Sequence, residues 1–275
     1  RSIGGIGDLH MVDAFHVQSS GNGFGFSDIP VTKNGHLYLA FLGYGYEDKD
    51  TNTNAQNAMF DSRYNHKLGE DSIQIAMQNV FIHDTDSGED LTEGNTLTLQ
   101  YQPNWGMLKQ KIGLQIGNGS MAKNLGCFGT DGNCFDYTAR KSAKATRIYD
   151  NGFIDLSADF KMNYLIFIEE SSEYHRLSSI GIRPHYVLAK YWSLLMEISY
   201  DDYELKNKAH QSLNKNTIAL QATPNAKEYW QRPALRFYLS HFKWNQAATT
   251  ISNLSSPDSK TNEAIMMGVN AEIWY

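Results

Sequence analysis

Apolar and polar residues alternate along most of this chain, most regularly in its last twelve residues. Every second position from Ile265 to Tyr275 is apolar or aromatic, whereas Asn270, Glu272 and Trp274 occupy the alternate positions. Successive side chains of a β-strand point to opposite faces, so this pattern predicts a strand with one apolar and one polar face. The apolar row ends on an aromatic residue, as rows at the interfaces of membrane barrels do.

The same alternation predicts about twelve strands from His36 onward, and one more near residues 8–17. The alternate faces carry Lys, Arg, Glu, Asp and Gln. The apolar face of the segment 192–200 begins at Trp192 and ends at Tyr200, so aromatic residues stand at both of its ends. Other apolar rows lie at 37–41, 73–77, 97–101, 112–116, 180–188 and 218–222.

The predicted connections alternate between short and long. Short turns are expected on one side of the sheet and long polar loops on the other, which is the plan of bacterial outer-membrane barrels. A soluble β-sandwich gives the same alternation of residues, so the pattern leaves both architectures open. The short turns lie at 68–71, 104–109, 189–190 and 223–228, and the long loops at 46–56, 83–93, 118–140, 206–214 and 245–263.

Composition narrows the classes of protein. The mean hydropathy is −0.47, and no run of eighteen apolar residues is present, which excludes a transmembrane helix but not a membrane barrel. The net charge of −6, without a basic cluster, argues against a nucleic-acid partner. Six prolines and the lack of a low-complexity linker favour one domain over residues 1–275.

The two cysteines, Cys127 and Cys134, are separated by six residues rich in Gly, Asn and Asp. Such a segment can turn back on itself, so we expect a disulfide in an external loop. Two free thiols in a reducing compartment are the alternative. A metal site would need more Cys or His residues close by.

Three segments resemble the sugar-specific porins of the maltoporin type, in the same order and over essentially the whole chain. The second segment continues through 196–201, and the third closes with the last five residues of the chain. The segments are Asp8-Leu-His-Met-Val-Asp13-Ala-Phe15, Ser179-Ile-Gly-Ile-Arg-Pro184 and Trp230-Gln-Arg-Pro-Ala-Leu-Arg236.

The resemblance implies an all-β, antiparallel transmembrane β-barrel of the sugar-porin type. Residues 1–35 would be the constriction-loop segment, and 36–275 would supply about 12–13 strands of an 18-stranded barrel. We therefore expect the chain to be the C-terminal part of a longer porin, with a shortened barrel that closes on itself as the alternative. The resemblance implies that the protein lies in the bacterial outer membrane, where each chain crosses the lipid many times and three copies form a homotrimer.

The function implied by the resemblance is passive diffusion of sugars such as maltose and maltodextrins, without a cofactor. The alternatives are a general porin, an outer-membrane enzyme such as a barrel lipase, and a soluble sugar-binding sandwich. The sequence holds no Gly-x-Ser-x-Gly elbow and no His-Glu-x-x-His motif, so nothing in it predicts catalysis.

Position in the alternating pattern and resemblance to the family together indicate the candidate sugar-binding residues. Trp230 and Trp274 match the family's aromatic sugar slide, and the alternation in a predicted strand 230–244 turns Trp230, Arg232 and Arg236 toward the polar face. An inward Trp that only packs against a turn is the alternative for both tryptophans.

The resemblance also matches residues of the constriction segment. Phe15 matches an aromatic facing the slide, and Asp8 and Asp13, with His10 beside them, match the polar track. Solvated loop residues are the alternative for the acids. Two positions depart from the pattern, because Ile6 stands where an arginine is expected and Lys109 where a slide aromatic is expected. Trp105, of the same parity as Lys109, is the substitute aromatic, and the departures point to a substrate range that differs from maltodextrins.

Overall fold

The computed structural model describes residues 22–48, 53–84, 92–122, 125, 141–173, 175–205, 210–245 and 262–273. These residues form 14 β-strands and one short 3-10 helix, Ser120–Ala122. The strands are β1 (Asn22–Thr32), β2 (Gly35–Asp48), β3 (Thr53–Leu68), β4 (Asp71–Asp84), β5 (Gly94–Gln102), β6 (Asn104–Trp105), β7 (Leu108–Gly119), β8 (Lys144–Asp155), β9 (Phe160–Ser171), β10 (His175–Ala189), β11 (Trp192–Leu205), β12 (Gln211–Ala222), β13 (Ala234–Trp244) and β14 (Glu263–Glu272).

All strands belong to one antiparallel sheet in which each strand pairs with its neighbours in sequence. The two-residue β6 pairs only with β7, and β1 and β14 lie at the edges of the described sheet. The prediction of an all-β antiparallel fold is confirmed, with thirteen strands, β2–β14, from Gly35 onward. Strand β1 occupies residues that the sequence analysis assigns to the constriction-loop segment, and the strand expected at 8–17 lies outside the described residues.

The sheet exposes its apolar face and buries its polar face, the reverse of a sheet in a soluble protein. One face carries exposed apolar side chains, such as Ile148 at 62% and Met267 at 81% exposure. The opposite face carries buried polar side chains, such as Lys215 at 1% and Glu197 at 2% exposure. We call these the outer face and the inner face. A sandwich would bury its apolar face against a second sheet, so the single sheet rules out the sandwich interpretation for the described residues.

The hairpin turns lie at one end of the sheet, which we call the short-turn end. Strands β3 and β4 are joined by a two-residue turn that contains Gly69. Its φ of 69° favours glycine, because a residue with a Cβ would be strained in this conformation. The predicted turn at 223–228 is longer, because β13 begins only at Ala234. The long loop expected at 46–56 is wrong: β2 continues to Asp48 and β3 begins at Thr53, so four residues connect them.

On both faces of the described sheet, tyrosine rings lie across glycines of the neighbouring strand. A Cβ built on Gly113 would overlap the ring of Tyr149, and one on Gly268 would lie 2.8 Å from Cζ of Tyr238. Gly152 stands in the same relation to Tyr164. Glycine weakens a strand because it has no side chain to pack. In each case the tyrosine ring packs over the exposed backbone of the glycine and compensates for that loss.

Candidate functional site on the inner wall

A continuous row of hydrogen-bonding side chains crosses the inner face. Thr98, Gln115, Arg147 and Glu169 are successive register partners on β5, β7, β8 and β9. Gln115 donates to Thr98 Oγ1 at 3.0 Å and accepts from Arg147 Nη1 at 3.2 Å. Direct cross-strand partners share a face and lie close together, so the sheet register itself assembles this row.

The row ends on a buried carboxylate with two cationic or polar partners. Arg147 Nε donates to Glu169 Oε2 at 2.6 Å, and Nη2 of the same arginine also pairs with that oxygen. His175 Nε2 lies 2.8 Å from the other carboxylate oxygen. The guanidinium of Arg147 lies 5.4 Å from the ring centre of Phe167, so its position is fixed from several sides.

A second group joins β10, β11 and β12. Both Arg183 and Lys215 pair with Glu197, Arg183 Nη2 at 3.0 Å from Oε2 and Lys215 Nζ at 2.9 Å from Oε1. The three side chains are between 1% and 6% exposed. We call this the Glu197 triad. Because these charges are buried, they depend on one another for compensation and serve the wall itself.

A third group joins β13, β14 and the residues just before β13, and it contains two of the predicted site residues. Arg232 Nη2 and Arg236 Nη1 each lie 2.7 Å from Glu272 Oε2. Arg236 Nε also donates to Gln221 Oε1 at 2.6 Å. We call Arg232, Glu272 and Arg236 the Glu272 triad. The structure therefore places Arg236 on the inner face of β13, as the alternation predicts. Arg232 precedes the strand and reaches the same carboxylate from the connection, and Asn270, which accepts from Arg236 at 3.3 Å, lies beside them.

The connection 223–233 folds across the short-turn end of the inner face. Its backbone donates from Ala226 N to Lys190 O at 2.9 Å, which ties it to the β10–β11 turn. The Tyr229 ring lies 5.3 Å from His185 and 5.1 Å from Phe153, both inner-face residues. Tyr229 is 8% exposed and serves as the anchor that holds the connection against the wall.

Trp230 is positioned by its contact with Tyr229, and not by the strand that the sequence predicts. The predicted strand 230–244 begins only at Ala234, as β13, so alternation along the strand does not orient Trp230. Its ring instead packs edge-on against Tyr229, with ring centres 4.9 Å apart. Trp230 remains 54% exposed, so it presents an accessible aromatic surface two residues before Arg232 in the chain.

Trp105 does not share a face with Lys109, in contrast to the prediction. The two-residue turn at Gly106-Met107 pairs Trp105 directly with Leu108, and Asn104 with Lys109. Gly106 has a φ of 69°, which suits the first central position of such a turn. Trp105 consequently lies on the side of Leu108, on the outer face, with 59% exposure. Lys109 keeps the inner-face position.

Several predicted residues lie outside the described part of the chain. They are Asp8, His10, Asp13, Phe15, Cys127, Cys134 and Trp274. Their roles, including the disulfide, stay predictions. In the described ranges no group of three or more His, Cys, Asp or Glu side chains could hold a metal ion. No helix within those ranges is long and apolar enough to cross a membrane.

Sequence reasoning missed both the Glu197 triad and the row that ends at Glu169. The only signal in the sequence was that each charged residue occupied a position on the polar face of its own strand. Arg183 lies 14 residues from Glu197, and Arg147 lies 22 residues from Glu169, so the register between strands was needed to join them. Chemically, the inner wall is a surface of fixed donors and acceptors, and it suits a ligand rich in hydroxyl groups.

Comparison with known families agrees with this architecture. A model described as LamB porin matches residues 4–275, nearly the whole chain. The proteins of this family are transmembrane β-barrels of the outer membrane and act as sugar channels. An exposed apolar outer face around a polar inner wall is what such a barrel requires. The chain therefore belongs to the LamB porin family.

Proposed function

We propose that this protein lets malto-oligosaccharides and similar sugars diffuse passively across the outer membrane along an aromatic slide and a polar track. The proposal is supported by an exposed indole, Trp230, which packs on Tyr229 against the inner wall and lies two residues before Arg232 of the Glu272 triad. A pyranose has flat apolar faces and equatorial hydroxyls, so it can stack on the indole while its hydroxyls bond to charged groups.

The aromatic part of the path would consist of Trp230, Trp274 and Phe15. Trp230 is supported by its 54% exposure and by its rigid seat on Tyr229. Parity and family resemblance support Trp274, and resemblance supports Phe15. Several stacking sites of modest strength allow a sugar to move on, because conduction requires binding that is weak and repeated.

The polar part would include Arg232 and Arg236, with Asp8, Asp13 and His10 contributing from the constriction segment. One carboxylate, Glu272, fixes both guanidinium groups at 2.7 Å. Donors held in this way need no reorganisation when a sugar arrives, which lowers the cost of binding. Trp105 is the weakest candidate, because it shares the face of Leu108.

A channel of this kind needs neither a cofactor nor a chemical step, and we propose that the protein is not an enzyme. Within the described residues, the inner-face serine Ser179 donates its hydroxyl hydrogen bond to Asp201 at 2.6 Å. That arrangement lacks a histidine to act as the base for a nucleophile. A general porin remains the nearest rival, since it would share the barrel but not the sugar selectivity.

We further propose that the protein assembles as a homotrimer. A polar cluster on the outer face supports an interface with another subunit: Asp150 accepts from Gln110 at 2.7 Å and from Tyr164 at 2.9 Å. Its register partners on the same face are the apolar Ile112 and Ile166. A carboxylate among apolar residues is costly in contact with lipid, and contact with protein removes that cost.

Ion current through the purified protein in a planar bilayer tests the function. Added maltotriose is expected to reduce the current in a saturable manner, because a bound sugar obstructs the pore. Sucrose-sized and larger neutral solutes that lack a glucan chain serve as controls. If millimolar maltotriose leaves the ion current unchanged, the protein is a general porin.

A further inference from the structure

A patch of lysines and aromatic rings lies on the inner side at the short-turn end. We define it as Lys109, Lys111, Phe153, Tyr229 and Trp230. Lys109 is the direct register partner of Phe153 on β8, and Phe153 contacts Tyr229 at 5.1 Å between ring centres. Tyr229 in turn supports Trp230 at 4.9 Å, so cations and aromatic surface form one continuous patch.

The two lysines of this patch are exposed, unlike the cations of the triads. Neither Lys109 nor Lys111 forms an ion pair with a carboxylate in the part of the chain that the structure describes. Their register partners on β8 are Phe153 and Asn151, which carry no charge. Among the side chains that the structure describes, none pairs with either of these two positive charges.

Nearby carboxylates are already paired with other cations. Asp155 accepts from Lys161 at 2.9 Å, and Asp159 lies 3.5 Å from Lys227. Each pair is neutral in sum, so neither lowers the positive charge of the patch by a full unit.

The rest of the wall adds to this excess. The Glu197 triad combines two cations with one carboxylate, and so does the Glu272 triad, which leaves one positive charge in each. Among the described inner carboxylates, Asp61 pairs with Arg63 and Glu169 pairs with Arg147, whereas Asp201, which faces Ser179, reduces the sum. The chain as a whole carries −6. Positive charge is thus concentrated where a solute would pass.

We propose that the sugars this channel prefers carry an anionic group, a carboxylate or a phosphate, which Lys109 and Lys111 bind while the pyranose ring stacks on Trp230. This proposal rests on the proposed sugar channel and names the class of its substrate. Lysine ammonium groups bind phosphate and carboxylate oxygens as mobile point charges, which suits transient binding in a pore.

The test compares charged and neutral sugars of the same size in planar bilayers at 0.1 M KCl. The probes are trigalacturonate against maltotriose, and glucose 6-phosphate against glucose. We expect at least one anionic probe to block the current about three- to tenfold more strongly than its neutral counterpart, as two charges in a screened aqueous site allow. Preference for only one of the two anionic probes identifies the anion.

The Lys109→Gln/Lys111→Gln double variant should abolish that preference and leave block by maltotriose within about twofold, since glutamine keeps length and polarity but removes the charge. Lys243→Gln is the matched control, because Lys243 is an exposed lysine on the outer face of β13. Raising KCl to 1 M should weaken block by the anionic probe alone.

Equal block by charged and neutral probes, or a preference that survives in the double variant, would overturn the anionic-sugar proposal while the sugar channel stands. If maltotriose and the anionic probes all leave the current unchanged, the sugar channel itself fails and this proposal fails with it.

Discussion

Arg183 donates two hydrogen bonds to a single carboxylate oxygen of Glu197, from Nε at 3.1 Å and from Nη2 at 3.0 Å. The other oxygen of Glu197 faces Lys215 Nζ at 2.9 Å. One carboxylate on β11 thereby holds a cation from each of the strands beside it. The wall at this point is cross-linked by charge as well as by the backbone ladder.

Removing the carboxylate charge should destabilise the protein. Glu197→Gln leaves Arg183 and Lys215 buried without a counter-charge, and breaking a buried pair in this way costs about 3 kcal/mol. We expect a lower midpoint in thermal unfolding monitored by circular dichroism in detergent. Glu204→Gln, at an exposed position near the end of β11, should leave the midpoint unchanged. Equal midpoints for both variants would mean that the triad contributes nothing.

The aromatic slide makes a second prediction. Trp230→Ala should weaken block by maltotriose about three- to tenfold, the worth of one aromatic contact, while the open-pore conductance persists. Trp274→Ala should behave in the same way. Trp192→Ala is the control, because Trp192 is 40% exposed on the outer face of β11. Unchanged block in both the Trp230 and the Trp274 variant would remove the slide assignment.

The crossing of Gly113 by the Tyr149 ring makes a third prediction. Gly113→Ala places a methyl group where the ring lies, and the strain should destabilise the protein by about 1–3 kcal/mol. At Gly43 the nearest heavy atom to a new Cβ is 3.6 Å away, so Gly43→Ala should be tolerated. Refolding yield and thermal midpoint in detergent are the measurements. Comparable losses in both variants would argue against the ring contact.

A substitution at Asp150 tests whether the outer-face cluster around this residue contacts another subunit or lipid. If the cluster lies between subunits, Asp150→Ile removes hydrogen bonds from Gln110 and Tyr164, and the trimer should dissociate at a lower temperature on gels of unheated samples. If Asp150 faces lipid, the same change removes a costly charge and the assembly should be as stable or more so. Thr146→Ile, on the same face of β8, provides the control for added apolar surface.

Much of the fold could be predicted from the sequence. The alternation from Ile265 to Ile273 correctly predicted a strand whose apolar residues stay exposed, since the two-residue period of a strand is a local property. The inner orientation of Arg236 followed from the same rule. Connection lengths were harder, because polar residues near 46–56 are compatible with strands that extend beyond the apolar rows.

The alternation rule failed for Trp230 and Trp105, where the chain leaves the regular strand. Trp230 precedes the start of β13 at Ala234, and its place depends on Tyr229 packing against Phe153 and His185 from other strands. At Trp105 a two-residue turn sets which residues pair, so counting positions through the turn gave the wrong face.

The sequence alone determined that this chain forms antiparallel strands with one apolar and one charged face, because side-chain direction in a strand depends only on position along it. Only the tertiary structure decided which charges meet: Glu197 with Arg183 and Lys215, and Glu272 with Arg232 and Arg236. Such pairs join residues far apart in sequence, and their contact is set by the register between strands, a property of the folded sheet.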